Sequence, residues 1–81
     1  MNRKLVEIIA HFAVFLELAD ESEIPLRVAV REQEELAFRL QKLSKDERVE
    51  FLQMLREIAQ TETSQERRAV IEKIPENTGL I

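Results

Sequence analysis

The chain contains no cysteine, a single glycine, two prolines and a single histidine among its 81 residues. Without thiols it can form neither a disulfide bond nor a thiolate metal site, so the cross-links that stabilise many small secreted domains are excluded. Their absence favours a reducing compartment, and we expect the protein to be cytoplasmic. Because Gly79 is the sole glycine, a glycine-rich loop that would hold a phosphate group is also excluded.

The shortage of reactive side chains argues against an enzyme. His11 is the only imidazole, and each serine that it would have to activate occupies a position where a helix cap is expected: Ser22, Ser44 and Ser64. Glu7 and His11 lie one helical turn apart, but such a pair without a second copy is too small for a metal site. The simpler interpretation is a solvated His11 paired with Glu7. We therefore predict no catalytic residue, no cofactor and no metal.

Long hydrophobic runs are missing as well. The most apolar stretch, LVEIIAHFAVFLELA at residues 5–19, is interrupted by Glu7, His11 and Glu17 and is shorter than the roughly 18 apolar residues that cross a bilayer. We expect neither a signal peptide nor a membrane-spanning helix. The 12 basic and 16 acidic side chains give a net charge of −4, whereas a nucleic-acid binder normally carries a basic excess. The overall charge therefore argues against nucleic acid as a partner.

Helical periodicity and capping residues predict four helices, at about residues 3–19, 24–43, 45–60 and 64–74. Asp20 or Ser22 is the expected cap of the second helix, with Pro25 in its first turn. Capping boxes are predicted at Ser44 with Glu47, and at the second site formed by Thr63 and Glu66. Pro75 is expected to end the fourth helix, since a proline disfavours helical geometry in the residue before it.

The predicted fold is an all-α bundle of three to four helices. Short connections favour antiparallel neighbours, so we expect a long antiparallel hairpin of helices one and two, helix three packed across it and a short C-terminal helix. Residues 1–75 are expected to form a single helical domain, and residues 76–81 a C-terminal tail. In that tail, Leu80 and Ile81 either dock on the core or extend as a ligand for another protein.

The first helix has more apolar surface than one neighbouring helix covers. Its main apolar arc comprises Leu5, Ile8, Ile9, Phe12, Phe15, Leu16 and Ala19. Val14 and Leu18 fall beside Glu7 and His11, on the side expected to face water. Either this helix is central, with the other three around it, or it meets its own copy in a symmetric dimer. We favour the dimer, because two-fold homodimers are the commonest oligomers, and expect Val6, Val14 and Leu18 near the contact.

Two positions of the second helix are unusual. Gln33 interrupts an apolar side that has the seven-residue spacing of a coiled coil, where a polar core residue sets the register. Alternatively, Gln33 lies at the margin of the core and bonds to a backbone carbonyl or water. Phe38 lies on the charged face with Arg31 and Lys42, where it is covered by its own chain, contacts a protein partner or stacks on a base.

These features predict a non-enzymatic helical interaction protein, a small regulator, adaptor or assembly factor that acts through protein–protein contacts as a homodimer. The candidate partner-binding residues are Val6, Val14, Leu18, Arg31, Phe38 and Lys42. Gln33 is the candidate register-setting residue. The alternative is a helical-bundle nucleic-acid binder that uses the basic and aromatic outer face of the second helix, formed by Arg27, Arg31, Phe38, Arg39 and Lys42. No small-molecule substrate is inferred.

Overall fold

A computed structural model describes residues 1–81, which form four helices and no strand. The helices are α1 (Arg3–Leu18), α2 (Leu26–Leu40), α3 (Lys45–Thr61) and α4 (Gln65–Asn77). Each of the other three helices contacts α1, and α3 also packs against α4. None of the four combines the length and the hydropathy that a membrane crossing requires. The all-α prediction is confirmed, and α1 is the helix that the others share.

Polar side chains begin α1 and α3. The Asn2 side chain accepts hydrogen bonds from the backbone N–H groups of Lys4 at 2.8 Å and Leu5 at 3.3 Å. Ser44 accepts from the N–H of Glu47 at 3.2 Å, while the Glu47 carboxylate accepts from the N–H of Ser44 at 2.8 Å. The first predicted capping box is therefore confirmed. The backbone hydrogen bond from Ser44, together with the bond to its side chain, lowers the pKa of Glu47.

The start of α4 differs from the prediction. Ser64 is the cap, and its hydroxyl accepts from the N–H of Arg67 at 3.2 Å. The Glu62 carboxylate accepts one bond from the N–H of Ser64 and another from the Arg67 guanidinium, both at 3.1 Å, and these bonds lower the pKa of Glu62. The capping box predicted at Thr63 and Glu66 is therefore wrong. The cap is Ser64, and its backbone N–H donates to the carboxylate of Glu62, which precedes the helix, instead of to a carboxylate within the helix.

The connection between α1 and α2 is a separate turn. The Asp20 carboxylate accepts from the hydroxyl and N–H of Ser22 and from the N–H of Glu23, which lowers the pKa of Asp20. Pro25 stands at the N-cap of α2, with an extended backbone and no side-chain bond. The prediction that Asp20 or Ser22 caps α2 is therefore wrong, because local hydrogen bonds use these side chains one turn earlier.

The helix α4 continues two residues past Pro75, which is predicted to end it. It closes in a Schellman motif, where the N–H of Gly79 donates to the Glu76 carbonyl at 3.2 Å and the N–H of Leu80 to the Pro75 carbonyl at 2.9 Å. Gly79 has φ 74°, and a Cβ atom there would lie 2.7 Å from Nε2 of Gln41. These closing hydrogen bonds help to outweigh the local preference against helix before a proline.

All four helices and the C-terminal segment contribute to one core. Its buried members are Val6, Ala10, Val14, Leu40, Phe51, Leu55, Ala59, Ile71, Ile74 and Leu80. Leu80 is 4 % exposed whereas Ile81 is 76 % exposed, so one of the two tail residues docks and the other remains in solvent. The side-chain amide of Gln41 holds the same segment by donating to the carbonyl of Thr78 at 2.8 Å. The C-terminal residues are therefore packed against the bundle.

Candidate protein-contact surface

The helix α1 is apolar on two opposite sides. One side lies in the core and consists of Val6, Ala10 and Val14, each 1–2 % exposed. The other consists of Leu5, Ile8, Phe12 and Phe15, each 39–62 % exposed, and we call these four residues the α1 outer face. At about 100° per residue, the mean directions of the two rows differ by about 180°. The helix is therefore packed on one side and uncovered on the other.

The sequence prediction placed several of these residues on the wrong side. Val6 and Val14 are buried in the core of their own chain, so their assignment to a partner contact is wrong. The physical reason is packing distance: small and β-branched side chains let neighbouring helices approach α1 more closely than phenylalanine or leucine does. Within the predicted arc, Leu16 is buried, at 3 % exposure, whereas Leu18 is 38 % exposed at the edge of the outer face. Leu18 stays a candidate contact residue.

The four residues of the α1 outer face form a continuous surface, because residues three and four apart are neighbours on a helix. Their exposed fractions correspond to roughly 400 Å² of largely apolar area. The largest apolar patch on a monomeric protein typically covers about 300–600 Å² and is often functional. Met1 and Leu18, 43 % and 38 % exposed, extend the outer face at its two ends. The surface is large enough to serve as a protein contact.

Exposed aromatic and basic residues of α2 and of the turn that follows it form a second surface. Phe38 is 52 % exposed, so its own chain does not cover it. The Lys42 ammonium lies 4.5 Å from the centre of the Phe38 ring and holds one face of the ring in a cation–π contact. Arg39 donates to the Glu35 carboxylate at 2.8 Å, while Arg31 is exposed. Partner binding by Arg31, Phe38 and Lys42 stays a prediction.

Gln33 is half-buried beside a groove between α1, α2 and α4. Its side-chain amide donates to the Glu17 carboxylate at 2.9 Å, which links α2 to α1 within one chain. The groove has a volume of about 360 Å³, and its apolar walls include Ala13, Val30 and Val70. Gln33 therefore lies at the margin of the core, with a carboxylate as its partner. A role for Gln33 in setting helix register stays a prediction.

The predicted pair of Glu7 and His11 is replaced by a different ion pair. Arg3 donates to Glu7 at 3.3 Å and to Glu57 of α3 at 3.1 Å, while His11 is exposed. No three His, Cys, Asp or Glu side chains lie close enough together to hold a metal ion. Arg3 and its two carboxylates thus act as a surface link between α1 and α3.

Comparison with protein-family models, with curated proteins and with solved structures found no match.

The contact residues that sequence reasoning missed are the members of the α1 outer face, which it assigned to the core. The sequence signal that separates the packed side of α1 from its outer face is a second apolar row. This row consists of Val6, Ala10 and Val14, whose smaller side chains allow a close helix contact. Two apolar rows on opposite sides of one helix indicate two separate contacts.

Proposed function

We propose that the chain is a non-enzymatic helical interaction protein, a small cytoplasmic regulator, adaptor or assembly factor that binds protein through the α1 outer face. The observation that carries the proposal is the 39–62 % exposure of four large apolar side chains on a helix that already contacts the other three. Full burial of such a side chain contributes about 1.5–3 kcal/mol, so the uncovered face favours association. The proposal includes α1 and α2 as an antiparallel hairpin with α3 across it.

The serine hydroxyls support a non-enzymatic role because each has a structural partner. Ser44 and Ser64 accept bonds from backbone N–H groups at the starts of α3 and α4. The Ser22 hydroxyl donates to Asp20 in the turn that precedes α2. His11 lies on the exposed surface of α1 and forms no hydrogen bond with any of these hydroxyls. A nucleophile activated by this imidazole therefore has no support in the geometry.

Affinity capture with matched variants tests the proposal. Ile8 on the outer face and Val49 on α3 are both 62 % exposed, so Ile8→Glu and Val49→Glu add the same charge at equal exposure. Tagged wild-type protein and both variants are used to capture proteins from the cells of origin, and captured proteins are purified and tested for direct binding. We expect Val49→Glu to retain the wild-type partners, and Ile8→Glu to bind them at least about 100-fold more weakly.

Melting curves from circular dichroism establish that both variants fold, since each replaces an exposed side chain. Direct partners lost only from Ile8→Glu support the proposal. It fails if folded Ile8→Glu binds every wild-type partner with unchanged affinity, because the α1 outer face would then not be the contact.

Nucleic-acid binding is the second candidate, supported by the exposed Phe38 and Arg31 of α2 with Lys42 in the turn that follows. The ammonium of Lys42 already covers one side of the ring, Arg39 is paired with Glu35, and the net charge of −4 opposes a polyanion. We expect no binding of labelled single-stranded or duplex nucleic acid in fluorescence anisotropy at low salt. Salt-sensitive binding that Phe38→Ala abolishes would establish this candidate instead.

A further inference from the structure

We propose that the α1 outer face binds the same face of a second copy of this chain, with the two α1 helices antiparallel. The two-fold axis would pass at the level of residue 10. This inference rests on the proposed function and names its partner. The steps between the exposed positions alternate between four and three, which is the seven-residue repeat of a coiled-coil seam. Within α1 the seam consists of Leu5, Ile8, Phe12 and Phe15.

The seam is self-complementary when the second helix runs in the opposite direction. Leu5 then meets Phe15 of the second copy, and Ile8 meets Phe12. The two members of every pair are equally far from residue 10, so a two-fold rotation maps the set of pairs onto itself, as an isologous interface requires.

The charges at the two ends of α1 favour this direction. Lys4 and Glu21 lie at opposite ends of the helix, and neither forms an ion pair within the chain. An antiparallel arrangement brings the basic end of each copy, with Lys4, towards the acidic turn of the other, with Asp20 and Glu21. A parallel arrangement would place Lys4 beside Lys4 and align the two helix dipoles unfavourably.

The α1 outer face supplies a large part of the area that a stable dimer buries. A standard interface buries about 800 Å² on each partner, which is roughly one-seventh of the 5692 Å² surface of this chain. The four residues of the α1 outer face supply roughly half of that area. Further apolar area comes from Met1 and Leu18, which are 43 % and 38 % exposed, and from the apolar stems of Lys4 and His11 on the same side of the helix.

Molar mass in solution tests the proposed dimer. Light scattering should give about twice the 9.5 kDa chain mass for the wild type and for Val49→Glu. Phe12→Glu should give the monomer mass, because it places two carboxylates in the apolar seam and weakens association by at least about 100-fold. Circular dichroism establishes that Phe12→Glu remains helical, as expected for a position that is 41 % exposed.

Single cysteines test the direction of the helices, because the chain contains no cysteine of its own. In the antiparallel dimer, His11 of each copy lies close to the two-fold axis, whereas the two Lys4 residues lie about 18 Å apart along the helices. A short thiol-specific cross-linker should therefore join two copies of His11→Cys and leave Lys4→Cys unlinked. Cross-linking of both variants would contradict the antiparallel arrangement.

A wild-type protein that stays monomeric up to about 1 mM, a range in which even weak specific contacts form, overturns the inference. In that case, the capture experiment can still show that Ile8→Glu no longer binds a different protein that the wild type binds. The proposed function is then supported, although a second copy of the chain is not the partner. A dimer that persists in Phe12→Glu also overturns the inference, since the contact would then lie elsewhere. The two proposals therefore fail on different results.

Discussion

Replacement of Phe51 by alanine is expected to lower the free energy of unfolding by about 3–5 kcal/mol. Phe51 is 1 % exposed and is the largest of the fully buried side chains, so its removal leaves a cavity that the small core cannot fill. A domain of this size typically has a stability of about 5–15 kcal/mol and loses about 4–8 °C in Tm per kcal/mol. We expect thermal denaturation followed by circular dichroism to show a fall in Tm of at least about 12 °C.

Val49→Ala is the matched control, because Val49 lies two residues away on the same helix and is 62 % exposed. Its effect on the free energy of unfolding should lie within about 0.5 kcal/mol. Both variants are compared with the wild type at one protein concentration, since association of folded chains raises the apparent stability. A Phe51→Ala variant as stable as Val49→Ala would contradict the assignment of Phe51 to the core.

Replacement of Leu80 by alanine is expected to destabilise the fold by about 2–4 kcal/mol although it is the penultimate residue. Leu80 is 4 % exposed and belongs to the main hydrophobic cluster. Its backbone N–H also closes the end of α4 by donating to the Pro75 carbonyl, so loss of its side chain loosens the Schellman motif. Urea denaturation should show a lower midpoint with little change in slope.

The adjacent residue supplies the control for this prediction. Ile81 is 76 % exposed, so Ile81→Ala removes a side chain of the same size from the same tail without removing a core contact. It should change the free energy of unfolding by no more than about 0.5 kcal/mol. Equal effects of the two substitutions, in either direction, would contradict the docking of Leu80.

Local interactions account for the parts of the fold that the sequence predicts correctly. The capping box of Ser44 and Glu47 needs only residues three apart, so the start of α3 can be inferred without any tertiary contact. The same reasoning fails at the start of α4, because Ser64 rather than Thr63 is the cap and the carboxylate of Glu62, outside the predicted box, accepts from the Ser64 N–H. It fails again at Pro75, where the docked Leu80 stabilises a helix that the local preference would end.

The sequence predicts that the candidate site lies on a helix, but it does not predict which side of that helix is exposed. The sequence indicates that α1 is apolar on most of its circumference, and the spacing of its residues gives their directions around the helix. Those directions do not specify which side another helix approaches. Val14 was therefore expected beside water and lies in the core, whereas Phe12 was expected in the core and is 41 % exposed.

The sequence by itself determines that this protein is all-α, where α1 and α3 begin and that its first helix carries excess apolar surface. These properties follow from periodicity and capping, which act over one or two turns of a single helix. Only the tertiary structure decided that the row of Val6, Ala10 and Val14 packs inward and leaves the α1 outer face uncovered. The physical reason is that helices pack most closely over small side chains, and that choice depends on residues far apart in the chain.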